Sequence, residues 1–146
     1  MDHTVSTQLA GTPFIDRVDI ELKRAQRYQI FLSLLVYDLS FISPNQMEED
    51  NSLKTQILQA VSQAIRNIDN VSLLASNKIA LLLPETNRQG AEVASKRIST
   101  IVAECLKALN VDTTFDTVAP QMASYPDAAG MKTIEDFLTD FSGQYN

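Results

Sequence analysis

Residues 73–86 read LLASNKIALLLPET. Two apolar runs flank the polar break Ser76-Asn77-Lys78, which predicts a hairpin with strands at Val71–Ala75 and Ile79–Leu83. Asn77 is the turn residue that tolerates the positive φ a tight hairpin demands, although no glycine accompanies it. Pro84-Glu85-Thr86 closes the second run, and Thr86 is placed to cap a helix behind it.

Upstream of the hairpin, Leu53, Ile57, Val61, Ala64, Ile65 and Ile68 recur at steps of three and four and predict a helix with one apolar stripe. Before it, residues 40–50, SFISPNQMEED, read as a loop. The run IFLSLLVYDL, Ile30 to Leu39, is apolar at nearly every position, as a strand buried on both faces must be, and it ends on Asp38. Thr12-Pro13 opens a first helix to about Tyr28, with Phe14, Val18, Leu22 and Ala25 on its buried side.

Downstream, Ala91, Ala94, Ile98, Ile101, Cys105 and Leu109 define a long amphipathic helix, with Cys105 a small core residue. A strand within Thr113–Tyr125 is interrupted by Pro120, which marks an edge or a bulge. Ile134, Phe137, Leu138 and Phe141 then predict a last helix over Thr133–Phe141. The order is an α+β arrangement whose βαββαβ core, with extra terminal helices, is ferredoxin-like with an antiparallel sheet. Residues 1–146 read as one domain, with 1–11 expected to be flexible.

A net charge of -6 leaves no basic field for polymeric DNA or RNA, though a local Arg cluster can still hold a small anion. His3 is the sole histidine and lies in the terminal segment, which removes Ser-His-Asp and Cys-His catalysis and any His-rich metal site. One cysteine, no apolar run of membrane-spanning length and no secretory pattern at MDHTVSTQLAG point to a cytoplasmic protein without a membrane segment.

The segments LKRAQRYQIFLSLLVYDL, IRNIDNVSLLASNKIALLLPET, GAEVASKRI and ASYPDA stand in the order, and nearly at the spacing, of diguanylate cyclase-like GGDEF domains. The resemblance covers roughly Phe14 to Phe141 and implies the nucleotide-cyclase-like fold and a place in bacterial cyclic di-GMP signalling. In that family a strand-ending Asp and the acids of the GGDEF turn hold two divalent cations over the GTP triphosphate. Hard cations need oxygen ligands, and an alkoxide forming at a 3′ hydroxyl needs their charge nearby.

Here the signature turn reads Ala75-Ser76-Asn77-Lys78-Ile79. Asp38 matches the first metal Asp, but Ser40 stands where a second acid is common, Asn77 replaces the turn's Asp, and Lys78 replaces its essential acid. The expectation is a degenerate, non-enzymatic module with no cofactor and no metal, in which Asp38, Asn77 and Lys78 are vestigial. Lys78 either neutralises Asp38 at a buried strand end, in place of the metal, or points to water.

A second family feature, an inhibitory Arg-x-x-Asp site for cyclic di-GMP, is matched by Arg66 and Asp69, with Arg66 nine residues before Ala75. Arg97 falls where the family often adds another Arg. Guanidinium forks suit a guanine acceptor edge or a phosphate, and a carboxylate suits the guanine N1 and N2 donors. The bland alternative is an i, i+3 pair on the exposed end of a helix, with Arg97 solvated. The resemblance thus implies a regulatory cyclic di-GMP receptor. The competing expectation is a structural module that dimerises or docks a protein partner without nucleotide, and a third is a residual enzyme using Asp38 and one metal.

Overall fold

The computed structural model describes residues 11–42, 51–74, 77–108, 118–126 and 130–144. In chain order they form α1 (Gly11–Tyr28), β1 (Leu32–Asp38), α2 (Asn51–Gln63), β2 (Asn70–Leu74), β3 (Lys78–Pro84), α3 (Arg88–Ala108), β4 (Gln121–Tyr125) and α4 (Ile134–Gln144). The strands make one antiparallel sheet in the order β2-β3-β1-β4. This is the α+β, ferredoxin-like arrangement the hairpin and its flanking helices predict.

β1 is central because both its faces are covered. Leu35 and Tyr37 pack with Ile57 and Val61 of α2 and with Ile98 and Val102 of α3. Leu32, Leu34 and Val36 pack on the other side with Val18 and Leu22 of α1 and Phe137 of α4. Alternating residues therefore enter opposite cores, which is why the run lacks a polar face. Tyr37, only 1% exposed, donates its hydroxyl hydrogen to the Ser95 carbonyl (3.0 Å) and lies 3.0 Å from Ser99 Oγ, pinning α3 to the sheet. Burial pushes its pKa up to about 12, against the opposing Ser99 hydrogen bond.

The last helix runs on to Gln144 past the expected Phe141, and the hairpin strands shift by a residue at their ends. Four further boundaries differ for reasons the contacts show. β1 starts at Leu32 because Gln29 takes a left-handed φ of 56° and the Ile30 N–H closes back on the Ala25 carbonyl at 3.1 Å, the pattern of a Schellman helix stop. α2 ends at Gln63, leaving Ile65 half-buried and Ile68 47% exposed outside the helix. Its apolar periodicity runs on into a turn, so period alone overstates its length.

At α3 the cap is Asn87, whose Oδ1 accepts from the Gly90 N–H at 2.8 Å, and Thr86 is released for another contact. The fourth strand begins at Gln121, immediately after Pro120, on an edge of the sheet, so the proline precedes the ladder instead of interrupting it. The remaining expectations for 1–10, 43–50, Ala75, Ser76 and 109–117 lie outside the described residues. Asn77 has the expected positive φ, at 57°.

Candidate functional site

Between α2 and β2 the chain closes a turn on itself. The Asp69 N–H donates to the Arg66 carbonyl at 3.0 Å, and the Arg66 N–H donates to Asp69 Oδ2 at 2.9 Å. The same carboxylate then takes the Arg66 guanidinium in a fork, Nε to Oδ2 at 3.1 Å and Nη2 to Oδ1 at 2.7 Å. A planar guanidinium matches a carboxylate in this way, and the pairing fixes its orientation as well as its charge. The Asp69 side chain is 4% exposed and that of Arg66 51%, so the anion is the buried anchor and the cation the half-open face.

A second set of contacts comes from the end of β3. Arg66 Nη2 also donates to the Pro84 carbonyl at 2.9 Å and to Thr86 Oγ1 at 2.7 Å. Thr86 is thus a positioning residue, and the sequence pattern, which suggests a cap, hides it. Glu85 between them sits at a left-handed φ of 56°, and its N–H donates to the Phe31 carbonyl at 2.9 Å. A non-glycine residue held there is worth noting at a ligand-sized cleft. The Asp69 hydrogen bond raises the Arg66 pKa, burial opposes it, and the Asp69 and Glu85 charges add to the rise.

Arg97 reaches the same place from α3, and its Nη2 donates to the Ala64 carbonyl just after α2 at 3.1 Å. Arg66, Asp69 and Arg97 together line an open cavity of about 380 Å³. Ile65, Leu83 and Ile98 also line it, with Phe31 and Val93, 49% and 66% exposed. The structure brings the three sequence-predicted residues together. It also changes the geometry expected of Asp69: both carboxylate oxygens are engaged by Arg66 and almost out of solvent, so Asp69 orients Arg66 where the sequence suggested a guanine acceptor. The i, i+3 pairing does occur, but in a turn and not on a helix end. Phe31 and Thr86 are the residues the sequence reading misses.

The other candidate cluster lies at the opposite end of β1. Asp38 and Lys78 are Cα partners across the β1–β3 ladder, yet no ion pair joins them among the described residues, and Asp38 is exposed. The Asp38 Oδ1 instead accepts the Ser40 N–H at 2.9 Å. Burial pushes the Asp38 pKa up, but the Ser40 hydrogen bonds and the Lys78 charge outweigh it, and the net shift is downward. Of the two expectations, a buried carboxylate neutralised by Lys78 does not match this geometry: Asp38 is exposed and held by the Ser40 N–H, and Lys78 acts on it through its charge without an ion pair. Asn77 uses its carbonyl to accept the Leu39 N–H at 2.9 Å.

No group of three or more His, Cys, Asp or Glu side chains capable of holding a metal occurs among the described residues. Asp38 belongs to no such group, and a divalent cation wants several oxygen ligands.

No protein-family model matches the sequence, and neither does any curated protein sequence. Solved structures do match. A DGC protein from Thermotoga maritima aligns over 94% of this chain and 95% of its own, with a TM-score of 0.61 at 14% identity. The fold is that of a GGDEF domain. The GGDEF domain of PA1120 (YfiN or TpbB) from Pseudomonas aeruginosa aligns over 94% and 88%, with a TM-score of 0.58 and 18% identity. That of DgcB from Caulobacter crescentus, solved in complex with c-di-GMP, aligns over 85% and 77%, with a TM-score of 0.55 and 16% identity. In this GGDEF-fold chain, the cavity walled by Arg66, Asp69 and Arg97 and the Asp38–Lys78 strand end are two separate places.

Proposed function

We propose that this chain is a catalytically inactive, regulatory GGDEF-like module of cyclic di-GMP signalling, a cytoplasmic receptor that takes the dinucleotide at Arg66 and Arg97. The observation that carries the reading is the pair of guanidinium groups delivered to one cavity from two separate elements, with Arg66 held half-open by a buried carboxylate. The Arg97 guanidinium, tied down among the described residues only through Nη2, and the remaining Nη1 edge of Arg66 suit a phosphodiester or a guanine acceptor edge, and Asp69 acts as a positioning residue. The likeness to the DgcB domain that was solved with c-di-GMP supports the ligand. The replacement of turn acids by Asn77 and Lys78 supports the loss of catalysis, because an ammonium opposes the cations that phosphoryl transfer needs. No helix among the described residues is long and apolar enough to cross a membrane.

Calorimetric titration with cyclic di-GMP tests the receptor role. Binding is expected in the wild type, and loss of at least about tenfold in affinity is expected in Arg97→Ala, because a charge-assisted hydrogen bond is worth about 1.5–3 kcal/mol. No heat at high micromolar ligand removes the receptor role. GTP with magnesium should release no pyrophosphate, and turnover would overturn the inactive assignment.

A second reading, a dimerisation or protein-docking domain without nucleotide, is favoured by Ile20 and Tyr28 of α1, 57% and 62% exposed. Light scattering of the purified chain separates the two: a dimer broken by Ile20→Glu, with no response to cyclic di-GMP, supports the second.

A further inference from the structure

Phe31 leaves α1 and enters β1 at a place where an aromatic side chain has no core to join. It is 49% exposed, while the next residue, Leu32, is 1% exposed and packed under α1. Its backbone is held by the Glu85 N–H at 2.9 Å, so the ring stands on a fixed stem. Beside the arginine cavity lies a second concavity of about 280 Å³, lined by Asn87, Arg88, Ser124, Tyr125 and Pro126, and again by Phe31. Phe31 and Asn87 belong to both walls. The two hollows are thus neighbouring lobes with Phe31 as the septum between them.

The lobes measure about 380 Å³ and 280 Å³, on either side of the roughly 300 Å³ at which pockets for drug-sized ligands begin. A ligand with two heads can reach into both. Each also brings its own cation, Arg66 and Arg97 in the first and Arg88 in the second. Arg88 is only loosely occupied, with Nε 3.7 Å from Glu92 across an exposed i, i+4 pair. An exposed aromatic ring shared by two hollows that each carry guanidinium groups suits stacking a purine and holding its phosphate.

We infer that Phe31 is the base-stacking and specificity-determining residue of a two-lobed dinucleotide site, in which one purine lies against its ring and the second half of the ligand extends to Arg88. The inference rests on the receptor reading above. It adds that recognition is of the two-headed ligand and that a lone guanine nucleotide engages one lobe only.

The test uses cyclic di-GMP and GMP on the intact chain. Removing the ring in Phe31→Ala should weaken cyclic di-GMP binding roughly 10-fold or more, the scale of losing one stacked base. Arg88→Ala should weaken cyclic di-GMP but leave GMP unchanged. The chain contains no tryptophan, so Phe31→Trp introduces a single indole at the septum, and its fluorescence should be quenched on binding. Thermal unfolding midpoints of the three variants should match the wild type, because Phe31 is half-exposed and the Arg88–Glu92 pair is a surface one.

If the wild type binds cyclic di-GMP and Arg97→Ala loses it, but Phe31→Ala binds normally or Phe31→Trp shows no quench, the stacking role is overturned and the receptor reading stands. If Arg88→Ala leaves cyclic di-GMP binding unchanged, the second lobe is not used and the two-lobed site is overturned. If the wild type binds neither ligand, the inference and the reading beneath it both fall.

Discussion

Asp69 grips Arg66 through two parallel hydrogen bonds of 3.1 and 2.7 Å, with the carboxylate 4% exposed and the guanidinium side chain 51% exposed. The asymmetry decides which partner can be removed safely. Arg66→Ala leaves a carboxylate nearly out of water with only the Arg66 N–H to satisfy it, and should cost about 1–3 kcal/mol in urea unfolding. Arg66→Ala combined with Asp69→Ala should recover part of that loss, because no buried charge remains. A stability of Arg66→Ala equal to wild type would show that the carboxylate is solvated in solution.

Lys78 should matter little to stability. Its Cα partner Asp38 is exposed and bonded to Ser40, and no ion pair joins the two side chains among the described residues. Lys78→Ala should therefore fall within about 0.5 kcal/mol of wild type by denaturant midpoint. A loss near 3 kcal/mol would restore the idea of a lysine neutralising a buried acid.

Tyr37 predicts a specific alkaline limb. Its folded pKa of about 12 lies above the ordinary 10.0, so the folded state keeps the phenolic proton more tightly than the unfolded one. The resulting stability is complete below pH ~10 and is lost as pH rises through about 12, by an amount on the order of 2–3 kcal/mol. Tyr37→Phe should be about 1 kcal/mol less stable at neutral pH, for the lost contacts to Ser95 and Ser99, and its curve should lack this descent. A wild-type curve parallel to that of Tyr37→Phe between pH 9 and 12 would refute the burial of the hydroxyl.

Because β1 is covered on both sides, neighbouring residues on opposite faces should be equally sensitive. Leu34→Ala and Leu35→Ala each remove a fully buried side chain, one from each core, and should each cost about 2–5 kcal/mol. A sheet with one wet face would spare one of them. Chemical denaturation of the pair checks this.

Asn87 caps α3 where the sequence pointed to Thr86, and Thr86 instead holds Arg66. Asn87→Ala should lower stability by about 1 kcal/mol through loss of the α3 cap. Thr86→Val keeps the shape but removes the oxygen that accepts from Arg66, so it should loosen Arg66 and weaken cyclic di-GMP binding with little effect on α3. Helix-specific hydrogen exchange separates the two effects.

The elements were legible where periodicity and turn chemistry agree. The hairpin around Asn77, the doubly buried β1 and the apolar stripes of α1, α3 and α4 follow from side-chain spacing alone, because 2.0 and 3.6 periods are properties of the backbone. Boundaries failed where a stop is made by conformation and not composition. The left-handed Gln29 delays β1 to Leu32, and Ile65 and Ile68 keep helical spacing after α2 has ended.

The candidate site divides in the same manner. The resemblance singled out Arg66, Asp69, Arg97 and the turn residues Asn77 and Lys78, because a resemblance is a statement about residue identity in order. Which of Arg66 and Asp69 is open to the cavity, why Thr86 belongs with them, and that Phe31 stands between two hollows depend on contacts between α2, β1, β3 and α3. The amino-acid order determined the elements, their βαββαβ succession and the Asn77-Lys78 turn. The tertiary structure alone decided burial, and burial is what makes Asp69 an anchor, Arg66 an open face and Phe31 an exposed ring.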